Sequence, residues 1–267
     1  MKITVFTSNQ PRHLALVNKL ASVCNTVYSV LECNTVFPGK VQDFYKKTEV
    51  MQRYFDSVIA AERSLYGDIS FSRNNVKTLS VKLGDLNLLS QEQLADALSS
   101  ELYVVFGASY IKGWLIDFLT SSKALNIHMG VSPYYRGSSC NFWALYDNKP
   151  EYVGSTIHLL SKGLDSGPML YHALPVLKEE GEEGPFVFTM KAVEAAQQSL
   201  VNRIASKEIF DFQPLAQDKS REIRYTRNAD FNDEVASEFL NRNLRAADLA
   251  AMLAKSEQPA LLSPFFY

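Results

Sequence analysis

The sequence predicts an α/β protein with an open, mostly parallel twisted sheet that carries helices on both faces, followed by a smaller C-terminal α/β segment. Over the first 130 residues, apolar runs of strand length alternate with helical periodicity in the order β-α-β-α-β-α-β-α-β. The fourth run, "LYVVFGA", is continuously apolar, as expected for a strand that is buried on both faces. A chain of 267 residues that is 46% hydrophobic is long enough to bury such a sheet.

Each element of the first half follows from a local pattern. Strands are predicted where apolar and β-branched residues cluster, at Lys2–Thr7, Asn25–Glu32, Val76–Gly84, Leu102–Ala108 and Ala124–His128. Helices are predicted where apolar residues recur every three or four positions, at about Pro11–Val23, Val41–Tyr66, Gln91–Leu98 and Lys112–Leu119. Ser90 and Gln93 form a capping-box pattern that marks the start of the third helix.

The pattern changes beyond Gly154. "GSTIHLLS" and "PMLYHALPVL" are typical of strands, and the loop Lys162–Gly167 joins them. A charged hinge, Glu180–Pro185, precedes a long helix at about Phe186–Phe210. Two short helices are predicted near Asp233–Leu240 and Ala246–Leu253. We therefore place a domain boundary near residue 180, which divides the chain into 1–180 and a smaller region, 181–267.

Charge and cysteine content exclude several classes of function. The net charge of −2 gives no broad positive field, so a long nucleic-acid contact surface is not expected. Three cysteines without a CxxC pair indicate reduced thiols in a cytoplasmic protein, and Cys140 is interpreted as a buried thiol with no paired base. The apolar run at Met1–Phe6 is too short for a signal peptide, so none is expected, and no window has the apolar length that a membrane span needs.

Three segments are expected to meet at the carboxyl edge of the sheet, where ligands bind in folds of this kind. They are the turn Ser8–His13, "FGASYI" at Phe106–Ile111, and the strand end that carries Asn126 and His128. Strand alternation places Asn126 and His128 on one face. Either they form a hydrogen-bonded pair that holds the next loop, or they act on a ligand.

Asp165 strengthens the second interpretation. It lies in a tight loop between Gly163 and Gly167, from which a carboxylate can reach an imidazole on a neighbouring strand. Asn126, His128 and Asp165 together suit acid–base catalysis with stabilisation of a tetrahedral oxyanion, and a contact with Asp165 would raise the pKa of the imidazole. The alternative for Asp165 is a turn-forming residue, which "LDSG" also suits.

"LNIHMGVSPYYRGSSCNFWAL", followed by "GSTIHLLSKGLDSGPML", resembles the folate-dependent formyltransferase family. The resemblance covers roughly Leu102 to Leu174, and earlier residues fit in strand order only. It implies a Rossmann-like catalytic domain over 1–180, catalysis by Asn126, His128 and Asp165, and 10-formyltetrahydrofolate as formyl donor to an amine. It also implies that the pterin contacts, largely through backbone groups, Ser109, Tyr110, Ile111, Leu160, Ser161, Lys162, Gly163 and Leu164.

The acceptor site is predicted from residues around the same loop and from the first turn, which are Arg12, Tyr134, Arg136 and Gly137. Arg12 lies at a helix start where an anion could dock. Arg136 is expected either to contact a substrate phosphate or to pair with a local carboxylate. The chain departs from the family pattern at Met129-Gly130 and Val131-Ser132-Pro133, which leaves the acceptor open.

No metal site is expected, because His128, His158 and His172 with Asp165 match no common ligand spacing. His158, within its strand, is expected to support the active loop.

The resemblance is strongest to sugar N-formyltransferases, which modify nucleotide-linked amino-deoxysugars destined for surface polysaccharide such as lipopolysaccharide. Family members that act on methionyl-tRNA carry a basic surface and a C-terminal β-barrel, which this tail does not resemble. Glycinamide ribonucleotide, an amino-sugar acid and hydroxyornithine remain alternative acceptors. A non-catalytic protein that binds folate or a nucleotide is the alternative of another class. In the sugar-modifying case we expect a homodimer through the strands after Gly154.

Overall fold

The computed structural model describes residues 1–37, 48–177 and 184–267. In that part of the chain the α-helices are α1 (Pro11–Ala21), α2 (Glu49–Tyr66), α3 (Gly113–Ser121), α4 (Cys140–Tyr146), α5 (Pro185–Ala205), α6 (Asp233–Asn241) and α7 (Ala246–Lys255). The strands are β1 (Lys2–Ser8), β2 (Thr26–Cys33), β3 (Val76–Lys82), β4 (Leu102–Phe106), β5 (Leu125–His128), β6 (Tyr135–Gly137), β7 (Ser155–Leu159), β8 (Met169–Leu174), β9 (Arg224–Thr226) and β10 (Phe265–Phe266).

Eight strands form one sheet in the order β10-β8-β7-β5-β4-β1-β2-β3. Strand β7 runs antiparallel to both of its neighbours, and all other pairs in this sheet are parallel. Strands β6 and β9 form a separate two-stranded sheet. The prediction of an open, mostly parallel sheet with flanking helices is confirmed.

Alternating residues of the central strands supply two apolar layers, one on each face. Val5 of β1 and Val104 of β4 pack into the cluster that contains α1 and α5. Phe6 and Val105, the next residues along, pack into the cluster that contains α3. The near-continuous burial of β1 and β4 follows from this two-sided packing.

Two predicted helices differ from those observed. Residues 91–98 form turns and a short 3₁₀ segment at Ala97–Ser99, although Ser90 and Gln93 make both bonds of the predicted capping box. A capping box therefore formed without an α-helix behind it. Helix α2 begins at Glu49, where the Thr48 hydroxyl accepts from the Met51 N–H, and predicted residues 41–47 lie outside the described part.

The last helix of the first 210 residues is also shorter than predicted. Helix α5 ends at Ala205, and residues Glu208–Phe210 form a 3₁₀ turn. Lys207, between them, adopts a left-handed backbone conformation at φ +67°, which ends the α-helical path. The short elements α4, β6, β9 and β10 were not predicted.

The C-terminal residues join both sheets. β10 pairs with β8, and β9 pairs with β6 beside the loop that follows β5. The predicted hinge at Glu180–Pro185 lies almost wholly outside the described residues, so the boundary near residue 180 stays a prediction. No helix in the described ranges is long and apolar enough to span a membrane.

Candidate active site

The predicted polar pair lies at the end of β5, where the antiparallel neighbour β7 brings a third side chain alongside. Asn126 pairs in register with His158 of β7. The loop of residues 160–168 then carries Asp165 back over the same edge. Ile127, between the pair, points away into the core cluster. Strand alternation therefore places Asn126 and His128 as predicted.

Asp165 contacts both members of the pair. Its Oδ2 lies 3.2 Å from His128 Nδ1, and its Oδ1 accepts from Asn126 Nδ2 at 3.1 Å. The His128 and Asp165 side chains are 6% and 16% exposed, so the contact is shielded from water. The structure thus brings together the three residues that the sequence predicts to be catalytic.

His158 fixes the orientation of the Asn126 amide. His158 Nδ1 lies 2.8 Å from the Leu159 carbonyl, which can only accept, so Nδ1 carries the proton. Nε2 is then an acceptor, and Asn126 Nδ2 donates to it at 3.0 Å. Both amide hydrogens of Asn126 are therefore engaged, one with His158 and one with Asp165.

The charges of the pair stabilise each other. Burial alone would lower the pKa of His128, but the Asp165 carboxylate outweighs it and holds that pKa well above its ordinary value. Burial alone would raise the pKa of Asp165, and the imidazole of His128 reverses that effect, so the pKa of Asp165 lies far below its usual range. Both shifts favour the charged form of each group, an imidazolium–carboxylate pair.

Cys140, at the start of α4, is buried as predicted, and its sulfur contacts the other nitrogen of His128, a neighbour that the sequence did not indicate. Its sulfur lies 3.5 Å from His128 Nε2 and 3.4 Å from the Gly137 carbonyl oxygen. A thiol that donates to Gly137 presents a lone pair to Nε2–H. Gly130 makes room for this contact, since a Cβ there would lie 2.5 Å from Cys140 Cβ and 2.8 Å from Nε2.

A cavity of about 370 Å³ opens onto this constellation. Its wall includes the turn Gly107–Ile111 after β4 and residues of the loop after β7. Gly107, at φ +68°, lets the ring of His13 approach, because a Cβ there would lie 2.4 Å from His13 Nε2. Burial, assisted by the neighbouring charge of Arg12, lowers the pKa of His13 well below its ordinary value.

Most of the predicted pterin-contacting residues line this cavity: Ser109, Tyr110, Ile111, Leu160, Ser161, Gly163 and Leu164. The Lys162 side chain does not, because its ammonium pairs with Asp117 at 2.6 Å. Its carbonyl still accepts from the Tyr110 hydroxyl at 2.7 Å, which links the two walls. Glu32, which sequence reasoning missed, binds the Ser109 N–H at 2.6 Å and the Ser109 hydroxyl at 2.8 Å.

Of the four residues predicted to bind the acceptor, one lines this cavity and three do not. Arg12 lines the cavity, where its guanidinium pairs with Glu62 at 2.8 Å. Tyr134, Arg136 and Gly137 lie away from it. Arg136 pairs with Glu222 at 2.8 Å, which favours the local carboxylate over a substrate phosphate. The Tyr134 hydroxyl donates to the Ala260 carbonyl, and Gly137 packs against the Thr226 backbone.

His158 bonds to the Leu159 carbonyl and to the Asn126 amide, whereas His172 bonds to two backbone groups. Within the described ranges, no group of three or more potential ligands is arranged to hold a metal ion.

Comparison with known proteins finds a family match over the segment that holds these residues. Residues 90–204 match the family model described as formyl transferase. Methionyl-tRNA formyltransferases of Trichodesmium erythraeum and of a Synechococcus strain are 26% and 27% identical over 168 and 127 residues. The matches cover 58% and 47% of this chain but only 48% and 38% of those relatives, so the chain spans about half of their length or less.

Solved structures share the fold at low identity. A formyltransferase of Anoxybacillus kamchatkensis, crystallised with UDP-4,6-dideoxy-4-formamido-L-AltNAc and tetrahydrofolate, matches with a TM-score of 0.50 at 12% identity, over 93% of this chain and 97% of that one. A 4-N formyltransferase of Francisella tularensis matches with a TM-score of 0.51 at 16% identity, over 86% and 77%.

An N-formyltransferase of Helicobacter canadensis, in complex with folinic acid and dTDP-3-aminofucose, matches with a TM-score of 0.50 at 11% identity, over 89% and 78%. These three likenesses concern the fold of the chain. The family match concerns the segment that holds Asn126, His128 and Asp165. The resemblance to the formyltransferase family that the motifs indicate is therefore confirmed, and residues 90–204, which match the family model, carry it.

Proposed function

We propose that this protein transfers a formyl group from 10-formyltetrahydrofolate to the amino group of a nucleotide-linked amino-deoxysugar. The observation that carries the proposal is the contact of Asp165 with both Asn126 and His128 on the wall of a cavity. A purely structural hydrogen-bonded pair would not need a buried ionised carboxylate at an open edge of the sheet, because burying charge is costly.

The cavity suits a flat, partly apolar donor with polar edges. Apolar side chains, including Val105, Ile116 and Leu160, form part of its wall. The backbone turns 107–111 and 160–164 offer N–H and C=O groups at the rim. The donor supplies an activated formyl carbon. These two backbone segments would hold the pterin ring of the donor beside His128.

Asn126 and the charged His128 would stabilise the oxyanion that forms when the amine attacks the formyl carbon. In the structure, both amide hydrogens of Asn126 are already engaged, one with His158 and one with Asp165 Oδ1. An oxyanion near Asn126 would therefore compete with Asp165 Oδ1 for one of them. Asp165 Oδ1 is then released to accept the proton that the attacking amine loses. The Asp165–His128 pair would return that proton to the donor nitrogen as its bond to the formyl carbon breaks, so protons and bonds balance.

The acceptor has a candidate position on the other side of Met129. A second cavity, of about 270 Å³, is lined by Met129, Cys140 and several aromatic rings: Tyr54, Phe55, Phe142, Phe186 and Phe231. Met129 also lines the cavity beside His128. Aromatic walls suit the apolar face of a deoxysugar. The names of the Anoxybacillus and Helicobacter complexes support the choice of a sugar acceptor, and we carry that choice over to this chain.

Release of tetrahydrofolate from 10-formyltetrahydrofolate, measured with a panel of amines, tests the proposal. The panel holds nucleotide-linked 3-amino and 4-amino deoxysugars, glycinamide ribonucleotide, an amino-sugar acid, hydroxyornithine and initiator methionyl-tRNA. We expect turnover with a nucleotide-linked amino sugar. We also expect that Asn126→Ala and His128→Ala abolish it while Asn202→Ala, a change at an exposed position of α5, leaves it intact.

Each other outcome contradicts part of the proposal. Turnover with methionyl-tRNA or another panel member alone would replace the acceptor. Folate binding without any turnover would favour the non-catalytic alternative, and no folate binding would refute the donor.

A further inference from the structure

The loop that carries Asp165 holds an unusual backbone conformation. Asp165 lies at φ +44°, in the left-handed region that non-glycine residues rarely occupy. Such a conformation persists only where surrounding contacts impose it. The carboxylate reaches His128 and Asn126 from this backbone position, so whatever fixes the loop also fixes the proposed catalytic contact.

Gln217, from the C-terminal region, bonds directly to this loop. Its Nε2 donates to the Asp165 carbonyl oxygen at 2.8 Å and to the Gly167 carbonyl oxygen at 2.9 Å. Both hydrogens of one amide group thus bridge two carbonyls that are two residues apart. A bridge of this kind holds the curvature of the backbone on both sides of residue 166.

A short antiparallel pairing positions Gln217. Leu215 and Met169 exchange two backbone hydrogen bonds, at 2.7 and 2.8 Å. Continuing that register by two residues places Gln217 opposite Gly167. Gly167 has no side chain there, and a Cβ would lie 1.7 Å from the Leu159 carbonyl oxygen. The bare glycine lets the loop lie against β7 while Gln217 closes it from the other side.

We infer that Gln217 is a positioning residue, through which the C-terminal region holds the Asp165 loop in the conformation that sets the Asp165–His128 contact. As a contribution to catalysis this rests on the proposed function, whereas the contact itself does not. Gln217 Oε1 is buried and has no hydrogen-bond partner among the described residues, so the side chain is held by its amide hydrogens.

The test replaces Gln217 with methionine, which keeps the length of the side chain and removes both donors. The exposed Gln213 of the same segment, changed to methionine, is the matched control. The first readout is the titration of His128, followed by NMR without any substrate; the chain has four histidines, which single-residue variants assign. The groups that face His128 are Asp165 at Nδ1, Cys140 at Nε2 and the ring of His158.

We expect Gln217→Met to lower the pKa of His128 by about one unit, because a loosened loop weakens the contact with Asp165. Gln213→Met should leave that pKa unchanged. A second readout is trypsin cleavage after Lys162, which lies in the same loop and should be cut about tenfold faster in Gln217→Met. Once an acceptor has been identified, the kcat of Gln217→Met should be roughly tenfold to a hundredfold lower than that of the parent protein.

An unchanged His128 titration in folded Gln217→Met would overturn the inference, whatever the enzyme's acceptor proves to be. If Gln217→Met does not fold, Gln217→Glu keeps the length and places an acceptor against two carbonyls. Its His128 titration and cleavage after Lys162 decide in the same way. A shifted pKa with no formyl transfer to any amine would leave the positioning role intact and refute the proposed function alone.

Discussion

Two buried histidines in neighbouring parts of the sheet have pKa values that are shifted in opposite directions. His128 at the end of β5 is 6% exposed, and His172 in β8 is 1% exposed. The pKa of His128 is well above its ordinary value, whereas burial lowers the pKa of His172 to about 4, although its bond to the Ser132 carbonyl opposes that effect. Burial is similar, so the partners account for the difference.

The partners of His172 are both backbone groups. Its Nε2–H donates to the Ser132 carbonyl oxygen at 2.8 Å, and its Nδ1 accepts from the Leu262 N–H at 2.8 Å. One nitrogen must donate and the other accept, so these bonds suit the neutral ring. His128 instead faces a carboxylate and a thiol that can both accept. A neutral histidine joins the C-terminal tail to the sheet, while a charged one faces the cavity.

Asp165→Asn should remove the difference between the two histidines and has the largest expected effect. The amide keeps the shape of the side chain but loses the charge that holds the proton on His128. We expect the pKa of His128 to fall, because burial then opposes the charged ring and only the weaker contact with Cys140 favours it. Formyl transfer should drop by roughly a hundredfold to ten-thousandfold. Histidine titration by NMR and tetrahydrofolate release measure the two effects.

The control is Asp211→Asn, a change to an exposed carboxylate on the C-terminal segment. It should leave both the titration and the rate unchanged. If Asp165→Asn retains a raised His128 pKa, then the carboxylate is not what charges the ring, and the comparison with His172 fails.

His172→Gln should sharpen the comparison through stability instead of activity. Because the folded-state pKa of about 4 lies below the ordinary 6.5, the unfolded chain binds this proton more readily. The folded state therefore loses stability as the pH falls from 6.5 towards 4, by up to about 3 kcal/mol from this group. Glutamine can also donate one hydrogen bond and accept another, but it does not titrate, so the variant lacks this acid sensitivity.

Urea unfolding between pH 4 and pH 7 checks the expectation. The variant should lose less stability on acidification than the parent protein, even if its stability at pH 7 is lower. His13, whose pKa is also lowered, retains its own acid sensitivity in both proteins. Equal acid sensitivity of parent and variant would show that His172 is not held neutral.

Local patterns were sufficient to predict seven of the eight strands of the large sheet and the proposed triad. Strand periodicity and strand order determine where Asn126 and His128 point, and the loop glycines place Asp165 near them. The predicted helix at 91–98 was wrong because a capping box describes only a helix start. Its Leu94 and Ala97 pack against the sheet from a 3₁₀ and turn conformation instead.

Contacts distant in sequence could not be predicted in this way. Gln217 lies 52 residues from Asp165, and Glu32 lies 77 residues from Ser109. Neither residue belongs to a motif. The contact of Cys140 with His128 depends on how the loop after β5 folds back, and the adjacent Gly130 was the one local signal of a close approach there.

Cys140→Ala has the smallest expected effect and tests which partner of His128 matters more. Removing the sulfur leaves Nε2–H without its weak acceptor but leaves Asp165 in place, so the pKa of His128 should fall only slightly and stay above its ordinary value. We expect formyl transfer to slow by about threefold to tenfold, the scale of one modest hydrogen bond.

Two further variants serve as controls. Cys140→Ser has a hydroxyl that can also accept, so it should recover part of the rate. Cys24 is a partly buried thiol remote from His128, so Cys24→Ala should have no effect. A loss as large as that of Asp165→Asn, with folding intact, would mean that the thiol takes part in the reaction and that His128 depends on both partners equally.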